Sequence, residues 1–412
     1  MYEREQYIRK IEKFIDKPVI KVISGPKRTG KSTLLSFVYN RQIEHGIQKE
    51  DIIQVNFEYY QYDGLRYQQS LYRYICDLAK KNKRKIYILI DEVQEVEQWE
   101  QVAIKFMQEV ECDLYVTGSV GTKMIPELEG KCVVIPMYTL SFAEYLDFLQ
   151  IDAMGAGYKE ILHDSMFENY MKFGGYPGVH TMVADEHMIK QYIRGIYSYA
   201  MLKDIVQRND IRDTILLEKI AFFLAWHVGD IMSPKKVADI LKSQGNKAGV
   251  ETVYHYIEAL MKGMAFYKVS RFDIKKNREM STLEKYYLCD NGFWYGLLGR
   301  PSSNVNGMLE NVVYLELLRR GYEVYTGKYG SWEIDFVAMR DDEVMYIQTV
   351  PYLENEMIVS QEFGVLKSMQ EPGRKIVISM DGQFSEASGD VEWMNICDFL
   401  LEQRRREMEL EA

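Results

Sequence analysis

Cysteine is scarce in this 412-residue sequence: there are five, Cys76, Cys112, Cys132, Cys289 and Cys397. None forms a CxxC pair, and none is close enough to another to suggest a zinc site. Thiols of this kind suit a reducing compartment, so a cytoplasmic location is expected. Long apolar runs are also missing. No segment approaches the roughly 20 residues needed to span a bilayer, and the opening Met-Tyr-Glu-Arg-Glu-Gln is not the charge pattern of a signal peptide. A membrane is therefore not an expected partner. Positive charge is not in excess either. The formal net charge is -10, which argues against an overall basic surface for nonspecific nucleic-acid binding and leaves a local basic patch open. No fixed-period repeat or low-complexity stretch is present. The 31 tyrosines are spread along the chain and read as core and rim residues, not as a stacking platform.

What is there is a chain long enough for about two to four domains, and apolar enough, at 47%, for each to bury a core. Over the first 140 residues, short apolar runs (19–25, 51–58, 85–91, 113–119 and 131–137) alternate with helix-length amphipathic segments such as 32–45 and 99–110. Continuous apolar strands separated by helices predict a parallel sheet covered on both faces, a three-layer α/β domain. From residue 141 the pattern turns helical, over 142–150, 158–173 and 185–206, punctuated by a glycine cluster at 174–178. Short helices fill 216–271. After a polar linker at 301–307 come a helix at 308–320 and strand-like runs at 323–326, 333–338, 344–350 and 375–379, which predict a small α/β unit.

The strongest motif is Gly25-Pro26-Lys27-Arg28-Thr29-Gly30-Lys31-Ser32, followed by Thr33. It fits the phosphate-loop pattern G-x-x-x-x-G-K-[ST] in the required context, with an apolar strand before it and a helix pattern after it. The glycines let the backbone turn its N–H groups toward phosphate, and the following helix adds its positive end. ATP and Mg²⁺ are the expected ligands, with Lys31 on the β- and γ-phosphates and Ser32 on the metal. Asp91-Glu92, at the tip of the third run, supplies a carboxylate for the Mg²⁺ shell and a second that orients or deprotonates the attacking water. The alternative is a helix N-cap with an acidic first turn. In Tyr115-Val116-Thr117-Gly118-Ser119, a polar residue at the strand end is placed to sense the γ-phosphate. Thr117 is the first choice and Ser119 the second, against a plain strand-end cap. Arg28 and Lys131 are candidates for a basic finger, in cis or from a neighbouring subunit.

Taken together, GPKRTGKS (25–32), IYILIDEVQEVEQWE (86–100), LYVTGS (114–119), YTLSFAEYL (138–146), FGGYPG (173–178) and a late EIDFVA (333–338) with YIQ (346–348) resemble a prokaryotic AAA-like ATPase family. That family is related to archaeal-type ATPases of the STAND class and carries a C-terminal domain of uncertain function. The resemblance implies a sheet with the Asp91 strand next but one to the phosphate-loop strand. It further implies a P-loop ATPase domain over 1–145, a helical domain over 146–215, a winged helix-turn-helix over 216–300 and a restriction-endonuclease-like domain over 306–404. Family members often carry Arg where this sequence has Lys131.

Residues 233–240 read as a capped helix with Pro234 at its first position. Residues 250–261 read as a second helix and 265–274 as a hairpin or wing, an order that suits a winged helix. Between Ser233 and Met280 there are ten Lys/Arg and five Asp/Glu, a balance of +5 against the chain's -10. Lys235, Lys236, Lys242, Lys247, Lys275, Lys276 and Arg278 could contact DNA phosphates. The second helix presents Glu251, Tyr254, His255 and Glu258, poor in base-reading groups, so a spacer or protein-binding role stands beside DNA contact.

In the C-terminal segment, Glu310, Asp335 and Gln348 trace the outline of a nuclease metal site, in which carboxylates bind Mg²⁺ and a lysine two residues on steadies hydroxide. The lysine position is occupied by Val350. The expected reading is a catalytically degenerate nuclease-like module used for binding or regulation, with Glu310 possible as a helix-surface residue and Asp335 as a strand-end cap. The leading expectation for the whole chain is an ATP-dependent molecular switch. The alternative is a DNA-directed ATPase or nuclease in defence or mobile-element biology. A metabolic kinase is disfavoured, because no second-substrate motif is visible. The sequence gives no oligomeric state.

Overall fold

The computed structural model describes residues 2–81, 84–121, 125–150, 159–182, 185–197, 202–246, 248–299, 303–384 and 389–411. Lys247, one of the basic residues singled out above, and part of the 301–307 linker lie outside them. The chain divides into two units, Met1–Tyr138 and Thr139–Ala412.

The first unit contains α1 (Glu5–Glu12), β1 (Ile20–Ser24), α2 (Lys31–Glu44), β2 (Ile52–Asn56), α3 (Gln68–Ala79), β3 (Ile86–Asp91), α4 (Trp99–Glu109), β4 (Cys112–Gly118) and β5 (Cys132–Pro136). Its five strands are parallel, in the order β2-β3-β4-β1-β5. The Asp91 strand therefore lies next but one to the phosphate-loop strand. β1 and β3 are buried along their whole length. Their pleat sends Ile20, Val22, Ile86, Ile88 and Ile90 into one core and Ile23, Tyr87 and Leu89 into the other. Each face thus has its own apolar layer, which is why these strands read as unbroken apolar runs. Lys21 is the exception within β1. It is fully buried and stays in place because its ammonium bonds the Asp113 carboxylate and the Lys17 carbonyl at 2.9 Å.

The second unit begins with α5 (Phe142–Phe148), α6 (Lys159–Phe173), α7 (Pro177–His180), α8 (Glu186–Gly195), α9 (Lys203–Arg208), α10 (Thr214–Trp226), α11 (Pro234–Ser243) and α12 (Val250–Lys262). There follow β6 (Phe266–Asp273), β7 (Arg278–Leu288), α13 (Gly292–Leu298), α14 (Val305–Arg319), β8 (Glu323–Tyr329), β9 (Trp332–Arg340), β10 (Glu343–Val350), α15 (Glu356–Ser368), β11 (Arg374–Ser379), β12 (Val391–Asn395) and α16 (Ile396–Glu411). The LSF motif is a capping box: Ser141 Oγ accepts from the Glu144 N–H while the Glu144 carboxylate accepts from the Ser141 N–H. The GGYP motif has a structural cause as well. Gly174 sits at φ +74°, and a Cβ there would meet Asp290 Oδ1 at 1.7 Å. Asp290, buried, accepts from the N–H groups of Gly175 and Gly292, both at 2.8 Å, tying the glycine turn to the start of α13.

Seven strands form one sheet in the order β12-β11-β10-β9-β8-β6-β7. The expected wing at 265–274 is a single strand, β6. Its hairpin partner is β7, and the turn between them places Asn277 at φ 48°. β6 then pairs in parallel with β8 through Arg271↔Thr326, Phe272↔Gly327 and Asp273↔Lys328. The hairpin that follows α11 and α12 and the C-terminal strands therefore share hydrogen bonds within one sheet.

Candidate functional site

In a parallel sheet, ligands are received at the carboxyl ends of the strands, and three of the expected motifs converge there. β1 ends at Ser24 and runs into the loop, whose Gly25 N–H bonds the Gly118 carbonyl at the end of β4, at 3.2 Å. Gly30 at φ +98° turns the chain into α2, a conformation that side-chain-bearing residues seldom adopt. The first N–H groups of α2 have no partner within the helix, which leaves them for an anion. The Thr29 hydroxyl and the Lys31 ammonium both bond the Pro26 carbonyl, at 2.9 and 3.1 Å. Arg28 is exposed at φ +69°. Sequence reasoning missed Arg4. This buried guanidinium bonds the Thr29 carbonyl at 3.3 Å and the Tyr138 carbonyl at 2.6 Å, bracing the loop from beneath.

Asp91 and Glu92, at the end of β3, are 3% and 6% exposed. Asp91 receives the Thr117 hydroxyl on one oxygen and the Asn56 amide on the other, at 2.9 Å, and the Ser32 hydroxyl also bonds it. Burial pushes its carboxyl up, while the two hydroxyls hold it down. Glu92 adopts a left-handed backbone at φ 56°, an uncommon conformation for a residue with a side chain. Its N–H bonds Thr117 Oγ1 at 3.1 Å, its Oε1 lies 3.4 Å from Lys31 Nζ, and its Oε2 receives the Gln94 amide. Burial works to raise the Glu92 carboxyl, but the Lys31 and Lys27 charges and the Gln94 amide outweigh it and hold the group below its ordinary value. The anionic form that a general base needs is therefore favoured.

The Thr117 hydroxyl, expected at the γ-phosphate, donates to Asp91 and accepts from the Glu92 N–H. The Ser119 hydroxyl is buried and, among the described residues, has no hydrogen-bond partner. The same holds for Gln94 Oε1. Lys131 does not serve as a finger in cis, because it lies at the opposite end of the sheet from the loop. The register Ile20↔Cys132 places it at the start of β5, alongside the start of β1. Five residues, from Ile20 to Gly25, separate that edge from the loop, about 16 Å at roughly 3.3 Å per residue.

The oxygen donors fit Mg²⁺, since the Ser32 hydroxyl and Asp91 carboxylate are already within bonding distance of each other. The loop and α2 N-terminus fit the phosphates of a nucleotide.

The second cluster, in the C-terminal unit, has a different character. Glu310 is 3% exposed within α14 and is not a helix-surface residue. Its Oε2 receives Tyr287 OH at 2.7 Å and Lys285 Nζ at 3.0 Å, and its Oε1 receives the Asn306 amide at 3.0 Å. Nor is Asp335 a simple strand-end cap, because it lies within β9. Its Oδ2 accepts from the N–H and Oγ1 of Thr349, at 2.8 and 2.9 Å, and its Oδ1 faces Lys285 at 3.3 Å. Gln348 turns its amide oxygen to the Asp335 N–H at 2.7 Å and its amide nitrogen to Glu362 at 3.0 Å. The structure thus brings Glu310, Asp335 and Gln348 together, but their oxygens are already hydrogen-bonded and do not fit a divalent cation. Among the described residues no His, Cys, Asp and Glu grouping suited to a metal is present. Lys285 was invisible to sequence reasoning.

A profile of the AAA domain matches residues 17–146, and a profile of a domain of unknown function, DUF8612, matches residues 164–304. An uncharacterised protein of Haemophilus influenzae is 33% identical over 408 residues, covering 98% of this chain and 99% of its own length. An uncharacterised protein of Methanocaldococcus jannaschii is 26% identical over 339 residues, covering 79% of this chain and 73% of its own length. Among solved structures, the Walker-type ATPase of Pyrococcus abyssi aligns with a TM-score of 0.49 at 15% identity, over 72% of this chain and 96% of that one. No helix among the described residues is long and apolar enough to cross a membrane.

Proposed function

This chain belongs to the family of the Haemophilus influenzae protein and carries an AAA-type ATPase domain, and from that premise we propose that it hydrolyses ATP and uses the cycle as a molecular switch acting on its C-terminal modules. The observation that carries the reading is the meeting of Lys31, Ser32, Asp91 and Glu92 beyond the carboxyl ends of β1 and β3, with β4 between the two strands. Residues 25–33 would cradle the phosphates. Ser32 and Asp91 would hold Mg²⁺, which when bound neutralises phosphate charge. Lys31, now paired with Glu92, would exchange that partner for phosphate oxygens. Glu92, released but still held by the Gln94 amide, would take the proton of the attacking water. Thr117 would fix Asp91 and the Glu92 backbone, which leaves the Ser119 hydroxyl, without a partner among the described residues, as the better γ-phosphate sensor. The test is phosphate release by the full-length protein with ATP and Mg²⁺. Turnover is expected in the wild type and is lost in Glu92→Gln while nucleotide binding persists. Equal turnover in the two proteins overturns the assignment.

In the second unit, the order α10, α11, α12 and the β6–β7 hairpin, with an antiparallel bridge between Met232 and Glu284, supports a winged-helix reading. The order of β8 to β11 after α14 supports a nuclease-like outline with degenerate chemistry. Exposed Lys235, Lys236 and Lys242 on α11 favour a second reading, a DNA-directed ATPase. Against it, Tyr254 OH bonds Glu258 at 2.8 Å and His255 bonds the Asn209 carbonyl at 3.0 Å. Lys275 stacks on Tyr329 and Lys276 pairs with Asp273. DNA stimulation of ATP turnover that falls steeply with salt would favour this second reading over a protein partner.

A further inference from the structure

We infer that the Lys285 ammonium permanently fills the place a divalent cation would take among Glu310, Glu333 and Asp335, so that the C-terminal carboxylate cluster is an internal ion-pair core closed to metal. The inference deepens the nuclease-outline reading and rests on it for the expectation that a metal would sit there. An ammonium has three N–H donors. Lys285 meets one oxygen of each of three carboxylates: Glu310 at 3.0 Å, Glu333 at 3.0 Å and Asp335 at 3.3 Å. Its side chain is 2% exposed, so water does not compete for these donors. The remaining oxygens of the two more buried acids are occupied as well, Glu310 Oε1 by the Asn306 amide and Asp335 Oδ2 by Thr349, while Tyr287 shares Glu310 Oε2 with the lysine. Gln348 has turned its oxygen to a backbone N–H. A cation entering here would have to displace a bonded ammonium and win back oxygens already in use.

The lysine does not come from the strand that carries Gln348, where Val350 stands at the expected position. It comes from β7, the outer strand of the hairpin, on the opposite flank of β8 and β9 in the sheet order. Burial works against its charge, and the facing Glu310, Asp335 and Glu333 carboxylates more than offset that and hold it protonated. The same contacts fasten the hairpin following α12 to α14 and β9. The cation is thus built into the fold, and it has a mechanical consequence that a freely exchanging metal would not have.

The test is Mn²⁺ binding, read from loss of the free-ion paramagnetic resonance signal, on nucleotide-free full-length protein carrying Asp91→Asn and Glu92→Gln so that the first site offers no carboxylate to the ion. No binding lost on Asp335→Asn is expected with Lys285 in place. One Mn²⁺ per chain is expected in Lys285→Met, and it is lost again when Asp335→Asn is added. Mn²⁺ bound with Lys285 present, and lost on Asp335→Asn, overturns the inference while leaving the nuclease outline standing. A folded Lys285→Met protein that binds no Mn²⁺ overturns both. Should Lys285→Met not fold, the Mn²⁺ titration with Lys285 present still decides, together with nitrogen-15 resonance of labelled lysine. A slowly exchanging ammonium signal at neutral pH is expected from Lys285, and its absence contradicts the buried ion pair.

Discussion

Lys31 Nζ lies 3.4 Å from Glu92 Oε1, so the side chain expected to hold phosphate and the side chain expected to activate water neutralise each other. Both are almost fully buried. Losing either partner therefore strands a buried charge, and the two losses should have different functional signatures. Glu92→Gln keeps the shape and a hydrogen-bonding group, and leaves Lys31 free for phosphate. Its ATP affinity is predicted to equal or exceed that of the wild type, with turnover reduced about 10²- to 10⁴-fold, the range attributed to a general base. Parallel losses of affinity and turnover would count against the assigned role.

Thr117 and Ser119 should separate in the same way. Thr117→Val removes a hydroxyl that serves both Asp91 and the Glu92 N–H. It leaves buried groups unpaired, and about 1–3 kcal/mol of stability should be lost with activity. Ser119→Ala removes a hydroxyl with no partner among the described residues. Denaturant melts should show little stability change for it, while turnover falls. A large stability loss in Ser119→Ala, or an unchanged rate, contradicts the sensor assignment.

Much of the first unit was legible because its determinants are local. Unbroken apolar runs such as Ile86–Asp91 report strands buried on both faces, and the loop signature is contiguous. Lys131 misled because proximity to a strand says nothing about which edge of the sheet is reached; that depends on the register Ile20↔Cys132. The joining of β6 to β8 was not legible, since it pairs Arg271 with Thr326 across 55 positions (326 minus 271) and no local pattern encodes it. Lys285 was hidden for the same reason. A lysine in a strand ordinarily marks a solvated face, and only the folded chain brings Glu310, Glu333 and Asp335 around it.

The Lys285 ion pairs should also be visible in stability. Removing one partner of a buried pair costs about 3–5 kcal/mol because the other charge is stranded. Lys285→Met should therefore lower the unfolding free energy of the second unit by about that amount in denaturant titrations. An effect below about 1 kcal/mol would place the lysine in a solvated setting.

Glu362 gives a pH dependence of known sign. Burial, with the Asp335 charge adding to it, pushes its carboxyl up from 4.5 to about 7. The folded state then binds more protons than the unfolded state between these values, so stability from this group falls as pH rises through the window. Glu362→Gln, which can still accept the Gln348 amide, should be the more stable protein above pH 7 and gain nothing below about pH 4.5. Melting curves at pH 5 and pH 8 that show the same difference between variant and wild type would remove the cause assigned here.

Equilibrium binding of ATP in Mg²⁺ to wild-type and Lys31→Ala protein decides whether residues 25–33 form a working nucleotide site. Saturable binding at one site per chain is predicted for the wild type and none for the variant. Wild-type affinity retained by a folded Lys31→Ala protein would mean that this loop does not hold the phosphates.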